Sequence, residues 1–342
     1  MSSAARADEE HHLREQLLEM SRAYLLSRAI HVAAELGVAN HVGDTAVRAS
    51  ELAHLTGAYE PYLERLLRFL AGHGIFAEAA PGSFLATPLS ALLADGHPSS
   101  MRAGLSMVNS AWWAAVGDLG HAVRTGETAF AFRHRQPFFA YLKDNPSEQQ
   151  SFDAGMASNS RSSDQAIARA YDFSRSSLLV DVGGGRGGLL KAVLERHADV
   201  RGQLFDQPQV VERAMALEAD SALQGRLSCL AGDFFQAVPG GADTYLLKGV
   251  LHDFDDERCI QILKNCRRAM QPQSKLLIIE RLISPDNLAH QAKTIDLLMM
   301  VLLGGRERPA SDWAELLRAA DLQLCQQLAT DSEFTISEAT PI

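Results

Sequence analysis

Cysteine is scarce in this chain of 342 residues, and its four copies (Cys229, Cys259, Cys266 and Cys325) show no paired metal-ligand spacing. Such sparse use is typical of a reducing compartment and predicts neither a disulfide framework nor a metal centre. Long apolar runs are also missing: the longest, residues 297–303, falls far short of the ~20 residues that cross a bilayer. The N-terminal segment lacks the apolar core of a secretory leader. We therefore expect a cytoplasmic protein with no membrane contact and no metal.

Positive charge is in short supply as well. The chain has 32 lysines and arginines against 42 acidic residues, a net charge of −10. This balance argues against nucleic acid as a partner, because phosphates are bound through clustered positive charge. What is present is apolar: 46% of the residues are hydrophobic, enough for a sizeable core. The length predicts two domains.

The first domain is expected over residues 1–105. Apolar residues recur at helical spacing from 11 to 38, and Gly37 ends the pattern. Two more helical segments and a hairpin around Pro81-Gly82 follow, an order typical of a winged helix. The stretch from Arg48 to Asp95 holds three arginines and five acidic residues, a poor match for DNA. We therefore expect this domain to pack against a second subunit.

The second domain is expected over residues 106–342. After helices up to about residue 171, strand-like and helical segments alternate from Ser177 onward. This alternation predicts an α/β, Rossmann-like fold with a mostly parallel sheet and helices on both faces. The tail, residues 322–339, has two alternating segments joined by a turn, which could close the sheet with an antiparallel edge.

A glycine-rich turn follows the first strand of this domain, in LLVDVGGGRGG. Gly183 and Gly185 let the backbone turn tightly and approach a ligand. Asp206 closes the next strand, 21 residues after Gly185, where its carboxylate can accept hydrogen bonds from ribose hydroxyls. The turn also fits the dinucleotide pattern G-x-G-x-x-G. Asp181 argues against that reading, since it would repel a pyrophosphate but suits the ammonium and sulfonium of S-adenosylmethionine.

Two further strand ends reach the same rim. The GDFF turn offers Asp233 as an acceptor and Phe234 as an apolar face for an adenine ring. The segment YLLKGVLHDF places Lys248 and His252 where open α/β sheets collect their functional groups. Histidine titrates near neutrality, so His252 can accept the proton of an attacking hydroxyl. Glu280 and Glu307 are candidates to orient its ring.

These segments resemble the S-adenosylmethionine-dependent O-methyltransferases of plant caffeate and chalcone type and their bacterial natural-product relatives. The resemblance covers nearly the whole chain. It implies that Gly183 and Gly185 contact the cofactor, Asp206 binds the ribose, and Lys248 holds the amino-acid end. It further implies an adenine site at Asp233 and Phe234, a base at His252 flanked by Glu280 and Glu307, a product S-adenosylhomocysteine, and a homodimer through the N-terminal domain.

The chain departs from the family at two points. Phe254 stands where a tryptophan is common, which should leave the base intact, and the GDFF turn lies one residue further from His252 than in many relatives. The positions that match the acceptor site are apolar and favour a flat, fused-ring phenol; they are Phe152, Met156, Met299, Met300 and Leu303.

The leading hypothesis is therefore methyl transfer to a hydroxyl of a small aromatic molecule. Two alternatives remain open at this point. The same fold and cofactor could serve an N-methyltransferase or a non-methylating reaction, in which His252 would matter less. The winged-helix outline could also belong to a ligand-sensing regulator that binds DNA without turnover.

Overall fold

A computed structural model of the chain describes residues 3–218, 223 and 225–342. They form two compact units, one up to Val108 and one from Asn109 onward. The elements of the first unit, in chain order, are α1 (Ser3–Ser21), α2 (Ala23–Leu36), β1 (Val47–Arg48), α3 (Ala49–Thr56), α4 (Glu60–Gly72), β2 (Phe76–Ala80), β3 (Ser83–Ala86), α5 (Pro88–Ala91) and α6 (Arg102–Ser106).

The middle of the first unit has the winged-helix outline that the sequence predicts. Strand β3 pairs antiparallel with both β1 and β2, in the order β1-β3-β2. Helix α4 buries Leu63, Leu67 and Leu70, which recur every three to four residues and so share one face. These leucines and Phe84 of β3 belong to one apolar core, so helices and hairpin stabilise each other.

Helices α1 and α2 carry an apolar surface that their own unit leaves uncovered. Helix α2 ends at Gly37, whose positive φ of 66° suits a residue without a side chain. Along both helices large apolar side chains are 40–69% exposed; they are Leu13, Leu17, Leu18, Met20, Tyr24 and Leu25. Contiguous exposed apolar residues mark an interaction surface more often than a solvated one.

The second unit begins with helices and continues as alternating strands and helices. The helices that come first are α7 (Ser110–Gly117), α8 (Leu119–Thr125), α9 (Ala129–His134), α10 (Phe138–Asp144) and α11 (Pro146–Ala170). The α/β part consists of β4 (Leu178–Val182), α12 (Gly188–Arg196), β5 (Arg201–Asp206), α13 (Pro208–Glu218), β6 (Leu227–Ala231), β7 (Thr244–Lys248), α14 (Asp256–Ala269), β8 (Lys275–Glu280), α15 (Gln291–Leu302), α16 (Ala310–Arg318), β9 (Leu322–Ala329) and β10 (Thr335–Pro341).

Within the described residues the sheet of this unit has seven strands, in the order β6-β5-β4-β7-β8-β10-β9. Strands β4 to β8 are mutually parallel, and β10 runs antiparallel between β8 and β9. The prediction of a mostly parallel sheet with an antiparallel edge is confirmed. Successive residues of β7 are buried on opposite faces, Tyr245 in one core cluster and Leu246 in the other, which explains the nearly continuous apolar runs.

The parallel strands all end at one edge of the sheet. Asp181 is the next-to-last residue of β4, and Asp206, Lys248 and Glu280 are the final residues of β5, β7 and β8. Strand β4 lies between β5 and β7, so the order of the strands reverses direction at β4. These polar side chains therefore lie along the edge where open α/β sheets bind ligands. Among the described helices, none combines the length and apolarity of a membrane span.

Candidate active site

The glycine turn after β4 is shaped for close approach. Gly183, Gly185 and Gly187 have φ values of 71°, 59° and 72°, a region that favours glycine. A Cβ on Gly183 would lie 2.9 Å from Val250 Cγ2, so this position also lacks room for a side chain. A Cβ on Gly185 would meet no described atom within 4 Å. The turn is therefore closed on the protein side and open at Gly185.

Asp206 is tied to this turn by its carboxylate. Its Oδ2 accepts a hydrogen bond from Gly185 N–H at 2.9 Å, and its Oδ1 accepts one from Gln207 N–H at 2.7 Å. Burial raises the pKa of Asp206, and the two N–H donors oppose that rise. A carboxylate offers about four acceptor positions, so two bonds leave capacity for ribose hydroxyls.

Asp206 contacts the glycine turn at Gly185, whereas Phe234, next to Asp233 in the chain, contacts it at Gly183. Phe234 Cε1 would be 3.5 Å from a Cβ on Gly183, and its ring packs edge-to-face on Phe235 with centroids 4.9 Å apart. Asp233 is exposed, and its Oδ1 accepts a hydrogen bond from Phe235 N–H at 2.8 Å. The ring of Phe235 lies under Arg258 at 4.4 Å. Phe234 is thus the phenylalanine of the pair that borders the glycine turn.

Lys248 has a partner that the sequence analysis missed. Its Nζ donates to Asp164 Oδ1, and lies 3.4 Å from Ser163 Oγ; both residues belong to α11. Asp164 is 5% exposed and Asp181 is 2% exposed. Burial, then the nearby Asp164 carboxylate, raises the pKa of Asp181 to about 7. The result is a buried group of two carboxylates and one ammonium beside the glycine turn.

His252 lies in the short 3₁₀ turn Leu251–Asp253, between β7 and α14, and is 9% exposed. Its Nδ1 lies 2.8 Å from Glu307 Oε1 and 3.9 Å from Glu280 Oε2. On the other side of the ring, Nε2 lies 3.3 Å from Asp253 Oδ1. The structure therefore brings together the three residues that the sequence singles out for catalysis and adds Asp253, which it did not.

The charges around His252 determine its protonation. Burial favours the neutral ring, but the carboxylates of Glu280, Asp253 and Glu307 outweigh burial and raise the pKa of His252 to about 9. Burial also raises the pKa of Glu280 to about 7, with Glu307 and Asp253 adding to the rise. The carboxylates around the ring therefore favour its protonated form.

The two glutamates are held rigidly. Glu280 Oε1 accepts hydrogen bonds from Val250 N–H at 3.1 Å and Leu251 N–H at 2.9 Å, and Glu307 N–H donates to Asp296 Oδ1 at 2.9 Å. The remaining oxygen of each glutamate is buried without a hydrogen bond to any described residue. Donor atoms of His252, Glu280 and Glu307 lie within 4.8 Å of one another, a set that could also ligate a divalent ion. The absence of a metal stays a prediction.

Arg308 fixes the turn that carries His252, and sequence reasoning gave it no role. It is fully buried, and its Nη1 and Nη2 donate to the carbonyl oxygens of Leu251 and Phe254 at 3.1 and 2.9 Å. Its Nη2 also donates to Asp256 Oδ1 at 2.7 Å. A guanidinium between two carbonyls and a carboxylate holds both ends of the turn at once. The only local signal is its place in GGRERP, next to Glu307.

The five acceptor candidates divide between two helices. Met299 and Met300 lie in the last turn of α15 and Leu303 directly follows it; Met299 is 6% exposed and the other two are half-buried. Gly305 follows them, and a Cβ on it would be 2.0 Å from His252 O, so this end of α15 lies beside His252. Phe152 and Met156 lie on α11. Phe152 joins an aromatic cluster with Trp112, Phe138 and Phe139, and Met156 is 42% exposed.

The residues at the glycine turn fit a cationic nucleoside better than a pyrophosphate. Asp181, Asp206 and Asp164 outnumber Lys248, and burial raises the pKa of all three carboxyls. A bound cation would offset that excess of acidic groups, whereas a phosphate would add to it. Together with the sheet order, this donor set fits the cationic S-adenosylmethionine better than a dinucleotide.

Comparison with known proteins also indicates a methyltransferase, and it specifies methyl transfer to oxygen in the relatives. The model of the O-methyltransferase domain matches residues 116–323, and that of the O-methyltransferase dimerisation domain matches residues 18–96. The chain is 41% identical over 326 residues to phenazine O-methyltransferase PhzM of Lysobacter antibioticus, covering 95% of this chain and 96% of that protein. It is 40% identical over 304 residues to the mitomycin biosynthesis 6-O-methyltransferase of Streptomyces lavendulae, covering 88% and 87%.

A solved structure extends the likeness to ligands. The O-methyltransferase NcsB1 from neocarzinostatin biosynthesis, in complex with S-adenosylmethionine and 2-hydroxy-5-methyl naphthoic acid, superposes with a TM-score of 0.82 at 33% identity, covering 93% of this chain and 96% of that chain. The chain belongs to the O-methyltransferase family, and S-adenosylmethionine is its methyl donor.

Proposed function

We propose that the protein methylates a hydroxyl of a small, fused-ring aromatic acceptor and that His252 is the general base. A phenol with a pKa of about 10 is roughly a thousandth ionised at pH 7, a deficit of about 4 kcal/mol. A base placed at the hydroxyl removes that deficit as the oxygen attacks. When bound, S-adenosylmethionine supplies a methyl group activated by its sulfonium, so the protein's remaining tasks are proton transfer and positioning.

The observation that carries the proposal is the pairing of His252 Nδ1 with Glu307 at 2.8 Å. A carboxylate on Nδ1 holds the N–H there, and Nε2 becomes the nitrogen that accepts a proton. Glu280, 3.9 Å from Nδ1, stabilises the imidazolium that forms. Nε2 is also the nitrogen beside Asp253, so the acceptor hydroxyl must take the place next to that carboxylate.

The acceptor class follows from the side chains at the end of α15. Met299, Met300 and Leu303 offer apolar, adaptable surface close to the His252 backbone. Named acceptors of the relatives are aromatic as well: a phenazine for one and a naphthoate for another. A flat phenol suits such surface better than a sugar or a charged chain.

A panel of hydroxylated acceptors tests the proposal. Hydroxyphenazines and hydroxynaphthoates are incubated with the protein and S-adenosylmethionine, and mass spectrometry measures the gain of one methyl group. Each phenol is paired with the aromatic amine of the same skeleton. We expect transfer to oxygen. Transfer to the amine alone would favour an N-methyltransferase, and cofactor consumption without methylated product would favour a non-methylating reaction.

For the cofactor we propose that Gly183, Gly185, Asp206, Asp233 and Phe234 bind the adenosine, while Asp181 and Lys248 bind the charged end. Asp206→Ala is expected to weaken S-adenosylmethionine binding by about 1–3 kcal/mol, because charged hydrogen bonds to the ribose are lost. Calorimetry measures this change, with Asp206→Asn as the variant that keeps one acceptor oxygen. Binding of NADH, with none of S-adenosylmethionine, would contradict the assignment.

For the assembly we propose a homodimer formed through the apolar surface of α1 and α2, in accord with the dimerisation-domain match. Light scattering is expected to return twice the chain mass of 37.2 kDa. A value equal to one chain over a dilution series would contradict it. That the protein binds no nucleic acid and works in the cytoplasm stays a prediction; duplex DNA at low salt tests the first part.

A further inference from the structure

Asp164 is a buried acidic residue at the proposed cofactor site to which the sequence analysis gives no role. It lies on α11, 84 residues before Lys248 in the chain, and is 5% exposed. A Cβ on Gly188 would be 2.4 Å from Asp164 Oδ2, so this oxygen lies directly over the start of α12. Asp164 Oδ1 accepts the bond from Lys248 Nζ. One carboxylate thus connects the glycine turn to the lysine at the end of β7.

The charges in this group are arranged for a zwitterion. Asp164 on α11 and Asp181 on β4 are hydrogen-bond acceptors, and Lys248 at the end of β7 is a donor. The Lys248 side chain is 10% exposed, and its Nζ also lies 5.0 Å from the centre of the Phe334 ring, which closes that side. An α-amino acid carries one ammonium and one carboxylate, the complement of this set.

The group also has an uneven charge that a zwitterion alone does not remove. Two acidic side chains share one lysine, and burial raises the pKa of both carboxyls, that of Asp181 to about 7, because little solvent reaches them. A ligand that adds a further positive charge to its amino-acid end offsets the excess of acidic groups. Asp164 is therefore positioned to favour a ligand that has both an amino-acid end and an additional positive charge.

We propose that Asp164 binds the α-ammonium of the cofactor's amino-acid end and orients Lys248 toward its carboxylate. The inference rests on the cofactor site proposed above and assigns Asp164 a part in it. Lys248 Nζ donates to Asp164 Oδ1, and Oδ2, which lies over Gly188, is the oxygen that would receive the ammonium while Lys248 stays anchored. Asp164 is a binding residue by this account, and Lys248 depends on it for position.

The test compares three ligands by calorimetry on the full chain. S-adenosylhomocysteine carries the whole tail, its deamino analogue carries the carboxylate without the ammonium, and 5′-methylthioadenosine carries neither. For Asp164→Asn we expect S-adenosylhomocysteine to bind about 10–100-fold more weakly, since a charged hydrogen bond is lost. The deamino analogue should bind equally or more tightly, and 5′-methylthioadenosine should be unchanged within about twofold.

Two controls keep the test decisive. Asp164→Asn leaves Lys248 without its partner, so the double variant Asp164→Asn/Lys248→Met removes both charges and should still bind 5′-methylthioadenosine like the wild type. Asp206→Ala should weaken all three ligands, which reports on the cofactor site as a whole. Equal losses of S-adenosylhomocysteine and the deamino analogue in Asp164→Asn would overturn the ammonium assignment, as would a matching loss of 5′-methylthioadenosine. If the wild type binds none of the three, the proposed cofactor site itself is wrong.

Discussion

Replacing His252 with alanine is expected to lower turnover on an ordinary phenol by about 10²–10⁴-fold, while cofactor affinity stays within about twofold. The reason is that Glu307 lies on His252 Nδ1, which leaves Nε2, beside Asp253, as the nitrogen that we propose takes the proton of the acceptor. Glu307→Gln keeps the shape of the partner and loses its charge, so its effect should be smaller. Steady-state rates and calorimetry on the same preparations separate chemistry from binding.

The acidity of the acceptor provides the matched comparison. A phenol whose hydroxyl is already ionised at the assay pH needs no base, so it should lose much less than an ordinary phenol in His252→Ala. Equal losses for both acceptors would indicate a positioning role rather than proton transfer. If His252→Ala methylates the weakly acidic phenol at a near wild-type rate, His252 is not the general base. The N-methyltransferase hypothesis would then be favoured.

The same proton transfer gives a pH dependence with a definite sign. His252 accepts a proton only when neutral, and the surrounding carboxylates raise its pKa from 6.5 to about 9 against the opposing effect of burial. Turnover should therefore rise with pH, with its midpoint above 6.5. A cation bound nearby lowers the pKa of an imidazole, so saturating cofactor should move the midpoint below 9. Asp253→Asn removes one neighbouring negative charge and should move it lower still.

Arg308→Met should reduce the free energy of unfolding by about 2–5 kcal/mol and lower turnover as well. The variant leaves the carbonyl oxygens of Leu251 and Phe254 without their donor, and buried acceptors without partners are costly. The turn that carries His252 also loses the group that holds its two ends. Chemical denaturation measures the first effect, and kcat against cofactor affinity measures the second.

The neighbouring Arg306 is a matched control. It pairs with the same carboxylate, Asp256, at 2.8 Å, but its side chain is 49% exposed. Exposed ion pairs contribute about 0–1 kcal/mol, so Arg306→Met should have little effect on stability or turnover. If Arg308→Met and Arg306→Met change stability and turnover equally, Arg308 does not act by holding the turn. Its burial would then contribute only to packing.

Much of the fold was predictable because the relevant signals are local. The strands are short apolar runs that end in glycine or a polar residue, and the helices between them have regular apolar spacing, as in GLLKAVLER of α12. Even the antiparallel edge follows from the two alternating segments at the end of the chain. The site was predictable to the extent that its residues end strands: Asp206, Lys248 and Glu280 each do.

Residues whose roles depend on distant contacts were not predictable in this way. Asp164 lies inside a long helix of mostly polar character, and nothing in its neighbourhood indicates that Lys248, 84 residues later, will contact it. Asp253 directly follows His252 in the sequence, but only the fold shows that its carboxylate lies beside Nε2 of that ring. Arg308 stands beside Glu307, yet its contacts with Leu251 and Phe254 arise only when its loop packs against the turn that follows β7.

Gly305 has a consequence for how new acceptors could arise. A side chain there would place its first carbon 2.0 Å from His252 O and 2.3 Å from the carbonyl carbon of Asp253, so the main chain after α15 is in direct contact with that of the turn Leu251–Asp253, which carries His252. Under the acceptor site proposed above, exchanges at Met300 or Leu303 should change which ring is accepted, while the contact between Gly305 and the turn that carries His252 is kept. Libraries that spare Gly305 should retain a far larger share of active clones than libraries that randomise it.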